Sequence, residues 1–330
     1  MRFSHEFSPQ QFESKPEHKA RLETQIEKWK HFRNLVLEAV PSREKGVNLK
    51  RANNFLNKMR VPVKDHIFTD RMGLETFTDL SKKHNVYKHL ENKSWLGGYF
   101  AELDLVIVNR SLCYEYYNGP EVSEGIYVHE QAHALTSYKN CIISKEGLEV
   151  ARVGFAVGQE TSELGMFLEE GWADMLRGKY MEKYMTGKMK TMLYDTPDRA
   201  QKNTVPKVTK KYTKIQGVIP SPSPIKTYEL PTKYFYLVNS RGLIDHTTSA
   251  LPGYSLELLC KKAPDLFETL HKARTDVSAL RQVPQILDDL SPKLYLRLRA
   301  LGYNMEDFLT GLNIILNEVE NSPKNRPVNT

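Results

Sequence analysis

The residues with the clearest capacity for chemistry form a His-Glu-x-x-His motif at His129, Glu130 and His133. Residues i and i+4 lie on one face of an α-helix, so the two imidazoles can bind one metal ion. The carboxylate of Glu130 lies about 100° around the helix, within reach of a water molecule on that metal. Two neutral imidazoles beside a general base are typical of zinc hydrolases. The motif therefore predicts a Zn²⁺ site with Glu130 as the catalytic base.

The sequence around the motif favours a half-buried helix over a surface helix that carries two histidines by chance. Residues 118–121, Asn-Gly-Pro-Glu, supply a turn, a proline suited to a first helical turn and an early acid. An apolar lining follows along the helix, formed by Val122, Ile126, Ala132 and Leu135. A metal site inside a protein requires such a helix, whereas a chance match on a solvated helix does not.

A third metal ligand is expected from the segment 165–176, whose apolar residues recur with helical spacing. Glu170 and Asp174 are four residues apart and share a helix face. In zinc sites one carboxylate often binds the metal while another orients a histidine ligand. Glu169 competes with Glu170 for the ligand role. Gly171 is small enough to let another helix approach closely.

The two motifs together resemble the gluzincins, the thermolysin-like metallopeptidases. Their pattern is His-Glu-x-x-His, followed after thirty-six residues by Glu-x-x-Ala-Asp. The resemblance implies that Glu130 is the general base and that the zinc ligands are His129, His133 and Glu170. It also implies that Asp174 hydrogen-bonds a ligand histidine.

The resemblance covers about residues 95–180 and favours Glu170 over Glu169 as the third ligand, because only Glu170 is followed by x-x-Ala-Asp. A metzincin assignment fails, since Thr136 and Lys139 stand where that motif requires glycine and histidine. The gluzincin resemblance further implies a small sheet before the zinc helix. An edge strand of that sheet would pair with extended peptide substrate.

Gluzincins usually add a tyrosine or histidine, beyond the third ligand, that donates a hydrogen bond to the oxyanion of the reaction. The candidates here are His246 and Tyr254, both further from Glu170 than the usual donor. Tyr254 follows a glycine and begins an apolar helix, which would hold its hydroxyl rigidly at a cleft wall. Tyr254 is therefore the predicted catalytic donor, with His246 as the alternative.

The composition is that of an ordinary soluble protein. A chain of 330 residues is long enough to bury one large hydrophobic core or two modest ones. Its residues are 40% hydrophobic and 26% charged. The net charge of +7 permits an anionic partner without requiring one. The lysine-rich stretch 202–214 lacks a pattern of interleaved aromatic residues, so no nucleic-acid partner is predicted. Three distant cysteines, without Cys-x-x-Cys spacing, predict neither a second metal site nor a redox motif.

The sequence also bears on localisation. The N-terminus lacks an apolar core of signal-peptide length, and no stretch approaches the ~18 apolar residues of a membrane span. A cytoplasmic protein that binds no membrane is therefore expected. No pattern indicates its oligomeric state.

The predicted fold class is α+β and mostly helical. It comprises a gluzincin-like catalytic core with a small β-sheet, a zinc helix, a third-ligand helix and a helical C-terminal subdomain. Along the chain this gives a helical N-terminal segment (1–60), a zinc-binding core (61–189), an irregular insertion (190–233) and the C-terminal subdomain (234–330). The active site is expected in the cleft between the core and the C-terminal subdomain. The insertion is interpreted as either a lid or a disordered segment.

Periodicity predicts individual elements within these segments. They are helices over 18–40, 49–59 and 72–83, a strand over 65–69, and a hairpin of 95–100 with 103–109. For residues 139–163 the only predicted role is that of a connection that brings Glu170 back to the two histidines. Further helices are predicted to begin near Pro252, Asp265, Pro292 and Asn304.

The resulting functional hypothesis is a zinc-dependent metallopeptidase that hydrolyses peptide bonds with a zinc-bound water activated by Glu130. Its partner would be a peptide or protein substrate, of unspecified cleavage preference. The alternative is a catalytically inactive or self-inhibited zinc-binding protein with a structural or interaction role. The complete set of a base and three ligands favours the enzyme.

Overall fold

The structure is a computed structural model of the chain. It describes residues 16–87, 96–111, 113, 120–135, 139–143, 148–159, 162–184, 212–217, 226–231, 250–302 and 305–317. The helices in these ranges are α1 (Pro16–Ala39), α2 (Leu49–Lys58), α3 (Arg71–Lys83), α4 (Pro120–Ala134), α5 (Met166–Tyr184), α6 (Ala250–Lys262), α7 (Leu266–Lys272), α8 (Val277–Leu290), α9 (Leu294–Arg299) and α10 (Met305–Ile315). The strands are β1 (Asp65–Thr69), β2 (Gly97–Phe100), β3 (Leu105–Asn109), β4 (Lys139–Ile143), β5 (Leu148–Val153), β6 (Ala156–Gln159), β7 (Ser162–Leu164), β8 (Tyr212–Gly217) and β9 (Lys226–Pro231).

Helices dominate these elements, and the strands form three small sheets. The mostly helical α+β class predicted from the sequence is therefore confirmed. None of the helices in the described ranges combines the length and apolar composition that a membrane span requires.

The first sheet has the strand order β1-β3-β2. β1 runs parallel to β3, with Asp65 opposite Leu105, and β2 runs antiparallel to β3, with Gly97 opposite Val108. The predicted strand and the predicted hairpin are both present. In the chain, α3 lies between β1 and β2, and a tight turn then joins β2 to its antiparallel neighbour β3.

Strand β3 is buried at every residue, because it separates two hydrophobic clusters. Alternate side chains of a strand point to opposite faces of the sheet. Leu105 and Ile107 therefore join a smaller cluster with α1 and α3. Val106 and Val108 join the main cluster, which also contains Phe55, Tyr127, Trp172, Leu256 and Leu298. The main cluster thus includes residues of the predicted N-terminal, core and C-terminal segments, whose boundaries remain predictions.

The main cluster is built around α5, which is buried along most of its length. Gly125 of α4 faces Met181, and a Cβ on this glycine would lie 2.7 Å from the Met181 sulfur. Gly171 of α5 faces α6, and a Cβ there would lie 2.9 Å from the carbonyl oxygen of Pro252. The close approach of a helix at Gly171, as predicted, is therefore present, and Gly125 allows a second one.

Buried polar contacts also hold α4 in place. The amide of Gln131 accepts from the Lys64 N–H at 2.8 Å and donates to the Lys64 carbonyl at 2.9 Å. Near the start of the helix, the fully buried Glu124 accepts from Arg51 at 2.7 Å and from the Tyr180 hydroxyl of α5. The Gln131 contacts, two residues from each histidine, fix the rotation of α4 there and with it the direction in which the histidines point. The Glu124 contacts anchor the start of the helix.

The connection between the two motifs is more regular than the sequence indicated. Residues 139–143, 148–159 and 162–164 form a four-stranded antiparallel sheet in the order β4-β5-β6-β7. Its strands contain only three to six residues, and the β4–β5 register shifts between Asn140 and Cys141. Such short strands produce no extended alternation of apolar and polar residues, so the sequence pattern gave no signal.

Part of the segment 190–233 is also more regular than the sequence predicted. Strands β8 and β9 pair antiparallel, with Tyr212 opposite Pro231, so the interpretation as irregular is wrong for these residues. The rest of this segment lies outside the described residues, and its role as a lid stays a prediction.

The C-terminal helices include one that the sequence analysis missed. Helix α8 carries Pro284 in its interior, and a proline there usually indicates a helix end. The side chain of Asp276 caps this helix by accepting from the Ser278 N–H at 2.8 Å. Helix α6 begins at Ala250, slightly before the predicted start, which places Pro252 in the first turn where its missing N–H is tolerated.

The docking of α4 gives a stability prediction for Gln131→Ala. The substitution leaves the N–H and carbonyl of Lys64 without their side-chain partner, which should lower the free energy of unfolding by about 1–3 kcal/mol. Urea denaturation of the metal-free chain measures this change. Asn54→Ala, which truncates an exposed amide on α2, is the control and should change stability by less than about 0.5 kcal/mol. Equal stability of the two variants would contradict the role given to Gln131.

Candidate metal centre

Helices α4 and α5 bring three potential metal ligands together at their crossing. The Nε2 atoms of His129 and His133 lie 3.1 Å apart. The carboxylate of Glu170 lies 3.3 Å from Nε2 of His129 and 3.5 Å from Nε2 of His133. All three side chains are buried, and one ligand atom from each lies within 4.8 Å of the others. These residues could hold a metal ion.

The spacing of these atoms is compatible with one metal ion. Ligand atoms bound at about 2.0–2.1 Å around a tetrahedral ion lie about 3.3 Å from one another, and the two Nε2 atoms, 3.1 Å apart, are close to that value. Glu170 approaches the histidines with different oxygens, Oε2 at 3.3 Å from His129 and Oε1 at 3.5 Å from His133. Two imidazole nitrogens and one carboxylate oxygen are also the donor set of zinc hydrolase sites, which leave the fourth position for water. The chemistry and the geometry of the residues therefore fit Zn²⁺.

Each histidine presents its other ring nitrogen to a carboxylate. Nδ1 of His133 donates to Glu169 at 2.8 Å. Nδ1 of His129 faces Asp174 at 3.5 Å, at the limit of a hydrogen bond. A proton held on Nδ1 leaves the lone pair of Nε2 free for a metal. Asp174 faces His129 without a hydrogen bond to it, so its predicted role stays a prediction. Glu169, first considered as a competing ligand, contacts Nδ1 of His133, the ring nitrogen that points away from the other ligand atoms.

Both of these carboxylates are paired with buried arginines. Asp174 lies 2.5 Å from Nη2 of Arg177. Glu169 is held by both terminal nitrogens of Arg274, at 2.7 and 2.5 Å. Burial alone raises the pKa of Glu169, but Arg274 and His133 together bring that pKa down to about 2. Glu169 is thus ionised and can accept the hydrogen bond from His133.

Glu130 and Glu170 are the uncompensated acids of the centre. In the described part of the chain, neither has an arginine or lysine nitrogen within ion-pair distance. Burial lowers the pKa of His129, but Asp174 and Glu170 outweigh that effect and raise it to about 10. The surroundings therefore favour positive charge at the point where the three ligand atoms meet. A divalent cation supplies such charge.

Glu130 lies against strand β2. The backbone N–H of Tyr99 donates to its carboxylate. A Cβ at Gly97 would lie 3.1 Å from Cγ of Glu130 and 2.6 Å from a methyl of Ile126, so glycine provides the space. Burial raises the pKa of Glu130, and His129 lowers it in part. A buried carboxylate with a raised pKa is a stronger proton acceptor than an exposed one.

The predicted oxyanion donor stays a prediction. Tyr254 is half-buried on α6 and packs against the main cluster. Helix α6 contacts α5 at Gly171, directly after Glu170, so Tyr254 belongs to an element adjacent to the third ligand. His246, the alternative, lies outside the described residues.

Arg274 and Arg177 were not identified from the sequence. Arg177 follows Asp174 by three residues, a helical spacing that could have indicated the pair. Arg274 contacts Glu169 across more than one hundred residues of sequence, and no local pattern marks that contact.

The centre leads to a prediction for metal content. We expect the purified chain to bind about one zinc ion, and His133→Ala to lose most of it because one of three protein ligands is removed. Metal analysis after dialysis measures both. His31→Ala, which truncates an exposed histidine of α1, is the control and should retain zinc like the native chain. Full zinc retention by His133→Ala would exclude His133 as a ligand.

Comparisons of this chain with protein-family models, curated proteins and solved structures found no match. The functional interpretation therefore depends on the residues of the centre and on their geometry.

Proposed function

We propose that this chain is a zinc-dependent metallopeptidase of the gluzincin type. The observation that carries the proposal is the convergence of one potential ligand atom each from His129, His133 and Glu170 within 4.8 Å, with the buried carboxylate of Glu130 beside them. A structural zinc site closes all four positions with protein ligands, whereas a catalytic site keeps one for water. Three protein ligands and an adjacent base favour the catalytic type.

The residues of the chain have distinct roles in this proposal. A bound Zn²⁺ would supply a Lewis acid that makes a coordinated water more acidic and polarises a substrate carbonyl. Glu130 accepts the proton of the attacking water and returns it to the leaving amine. Its raised pKa suits both steps, because the group must first take the proton and then release it. Asp174 and Glu169 keep the two histidines oriented with Nε2 towards the metal.

The position of β2 supports a peptide as the substrate. In the sheet order β1-β3-β2, this strand pairs on one side with β3 and forms the other edge of the sheet. Its residues Gly97 and Tyr99 contact Glu130. An extended peptide that lies along β2 would therefore pass close to the proposed base.

One observation favours the alternative, a self-inhibited or inactive zinc-binding protein. His129, Glu130, His133 and Glu170 are each no more than 9% exposed. A metal can bind such a site, but a substrate carbonyl must also reach it. Digestion of a broad peptide library, with and without chelator, separates the two proposals. Chelator-sensitive cleavage supports the enzyme, whereas zinc binding without cleavage supports the alternative.

The role of Glu130 predicts the behaviour of Glu130→Gln. The amide cannot accept the proton of water, so hydrolysis should fall by orders of magnitude while zinc content and fold are kept. Library cleavage rates and metal analysis on the same preparation measure this separation. His31→Ala serves again as the variant with native turnover. Near-native turnover by Glu130→Gln would exclude Glu130 as the base.

The role of Tyr254 predicts a different signature. Removal of an oxyanion donor costs about 10²-fold in kcat, and a phenyl ring keeps the packing of tyrosine. Tyr254→Phe should therefore lower kcat by about 10²-fold, with zinc content and Tm unchanged. If Tyr254→Phe turns over normally and His246→Ala loses activity, His246 is the donor instead.

A further inference from the structure

Arg274 makes an unusually complete set of contacts for a residue outside the proposed reaction. It follows α7 and its side chain is fully buried. Its guanidinium holds both oxygens of Glu169. Its nitrogens also donate to the carbonyl oxygens of Leu135 at 2.7 Å, Ala132 at 3.4 Å and His133 at 3.5 Å. These carbonyls lie in the last turn of α4 and directly after it, where the usual partner four residues further on is missing. The Ala132 carbonyl also accepts from the Leu135 N–H at 3.0 Å.

Two aromatic rings and a glycine turn surround the ion pair of Arg274 and Glu169. The guanidinium lies 4.2 Å from the ring centre of Trp172 and 5.7 Å from that of Phe155. The Phe155 N–H donates to Glu169 at 2.9 Å. Gly154 has a φ of +57°, and a Cβ on it would lie 2.3 Å from a Glu169 oxygen. The turn between β5 and β6 thus needs glycine both for its backbone conformation and for the space that the carboxylate occupies.

The pair continues directly to a proposed metal ligand. Glu169 accepts from Nδ1 of His133, and Arg274 contacts the backbone carbonyl of the same histidine. Without these contacts the imidazole could rotate about its side-chain torsions, and Nε2 would leave the point where the ligands converge. A buried ion pair is by itself a weak source of stability, because desolvation offsets most of the attraction. Its orientation of His133 is therefore the more specific consequence.

We propose that Arg274 is a positioning residue for the metal ligand His133, acting through Glu169. The inference depends on the proposed metal centre and not on peptidase activity. It also has a reciprocal consequence. If the arrangement of Arg274 favours metal binding, then metal binding stabilises the docking of α7 and Arg274 against α4 by the same free energy.

The test compares Arg274→Met with Arg51→Met in the full chain. Both variants replace a guanidinium that is paired with a buried carboxylate by an apolar side chain of similar length, and Arg274 is fully buried whereas Arg51 is half-buried. Arg51 pairs with the fully buried Glu124 of α4, near the helix start and away from the metal ligands. A general effect of breaking a buried pair should therefore occur in both variants. An effect on the metal should occur only in Arg274→Met.

Zinc affinity by chelator competition and the visible spectrum of the Co²⁺-substituted chain are the measurements. Arg274→Met should weaken zinc binding about 10–100-fold and change the Co²⁺ spectrum, as for other partners that orient a ligand. Arg274→Lys should be weakened less, because one hydrogen bond to Glu169 can be kept. Arg51→Met should bind zinc within about twofold of the native chain. A folded Arg274→Met with native affinity and a native Co²⁺ spectrum would overturn the proposal.

A measurement on the native chain covers the case in which Arg274→Met does not fold. Zinc should slow hydrogen–deuterium exchange more strongly in residues 266–276 than in α3, which belongs to the smaller cluster. Equal slowing in both regions, or none in 266–276, would also overturn the proposal. If the native chain binds neither zinc nor Co²⁺, the metal centre itself is wrong. If it binds metal without cleaving peptides, only the peptidase proposal fails.

Discussion

The close crossing of α4 and α5 is the constraint on which the rest of the structure depends. Nitrogens on one helix must lie 3.3 and 3.5 Å from a carboxylate on the other. Side chains of ordinary length between the helices would separate them, and Gly125 removes that obstacle on α4. The rotation of α4 matters equally, because a turn of one residue would move both histidines by about 100°. Gln131 fixes that rotation beside the histidines, through its two bonds to the Lys64 backbone.

The crossing also concentrates negative charge in a low-dielectric interior. Buried carboxylates are costly unless they are paired or bind a metal. Arg177 and Arg274 compensate the two acids that face Nδ1 of the histidines. Glu130 and Glu170, which lie on the Nε2 side of the histidines, have no arginine partner in the described ranges. Positive charge is therefore favoured on that side. Arginine in those places would block the metal, whereas arginine behind the histidines does not.

The local parts of this arrangement could be predicted from the sequence, and the long-range parts could not. His129 and His133 follow from helical spacing, as does the shared face of Glu170 and Asp174. The strands β1 and β3 follow from their β-branched apolar residues. Sequence periodicity distinguishes faces of one element, but it does not say which elements meet. Arg274 could not be found for that reason, and the contact of Glu169 with Nδ1 of His133 could not be predicted either.

The packing of strand β3 affects the position of Glu130. Its alternating side chains are divided between two clusters, so a shift by one residue would expose both sets to the wrong face. The fixed register of β3 sets the register of β2, in which Gly97 pairs with Val108. That pairing brings a residue without a side chain to the point where Glu130 needs room. Alanine at 97 would have to displace Ile126 or the carboxylate, while β3 would hold the strand in place. The location of Glu130, the proposed base, therefore depends on core packing on both sides of the sheet as well as on the motif that contains it.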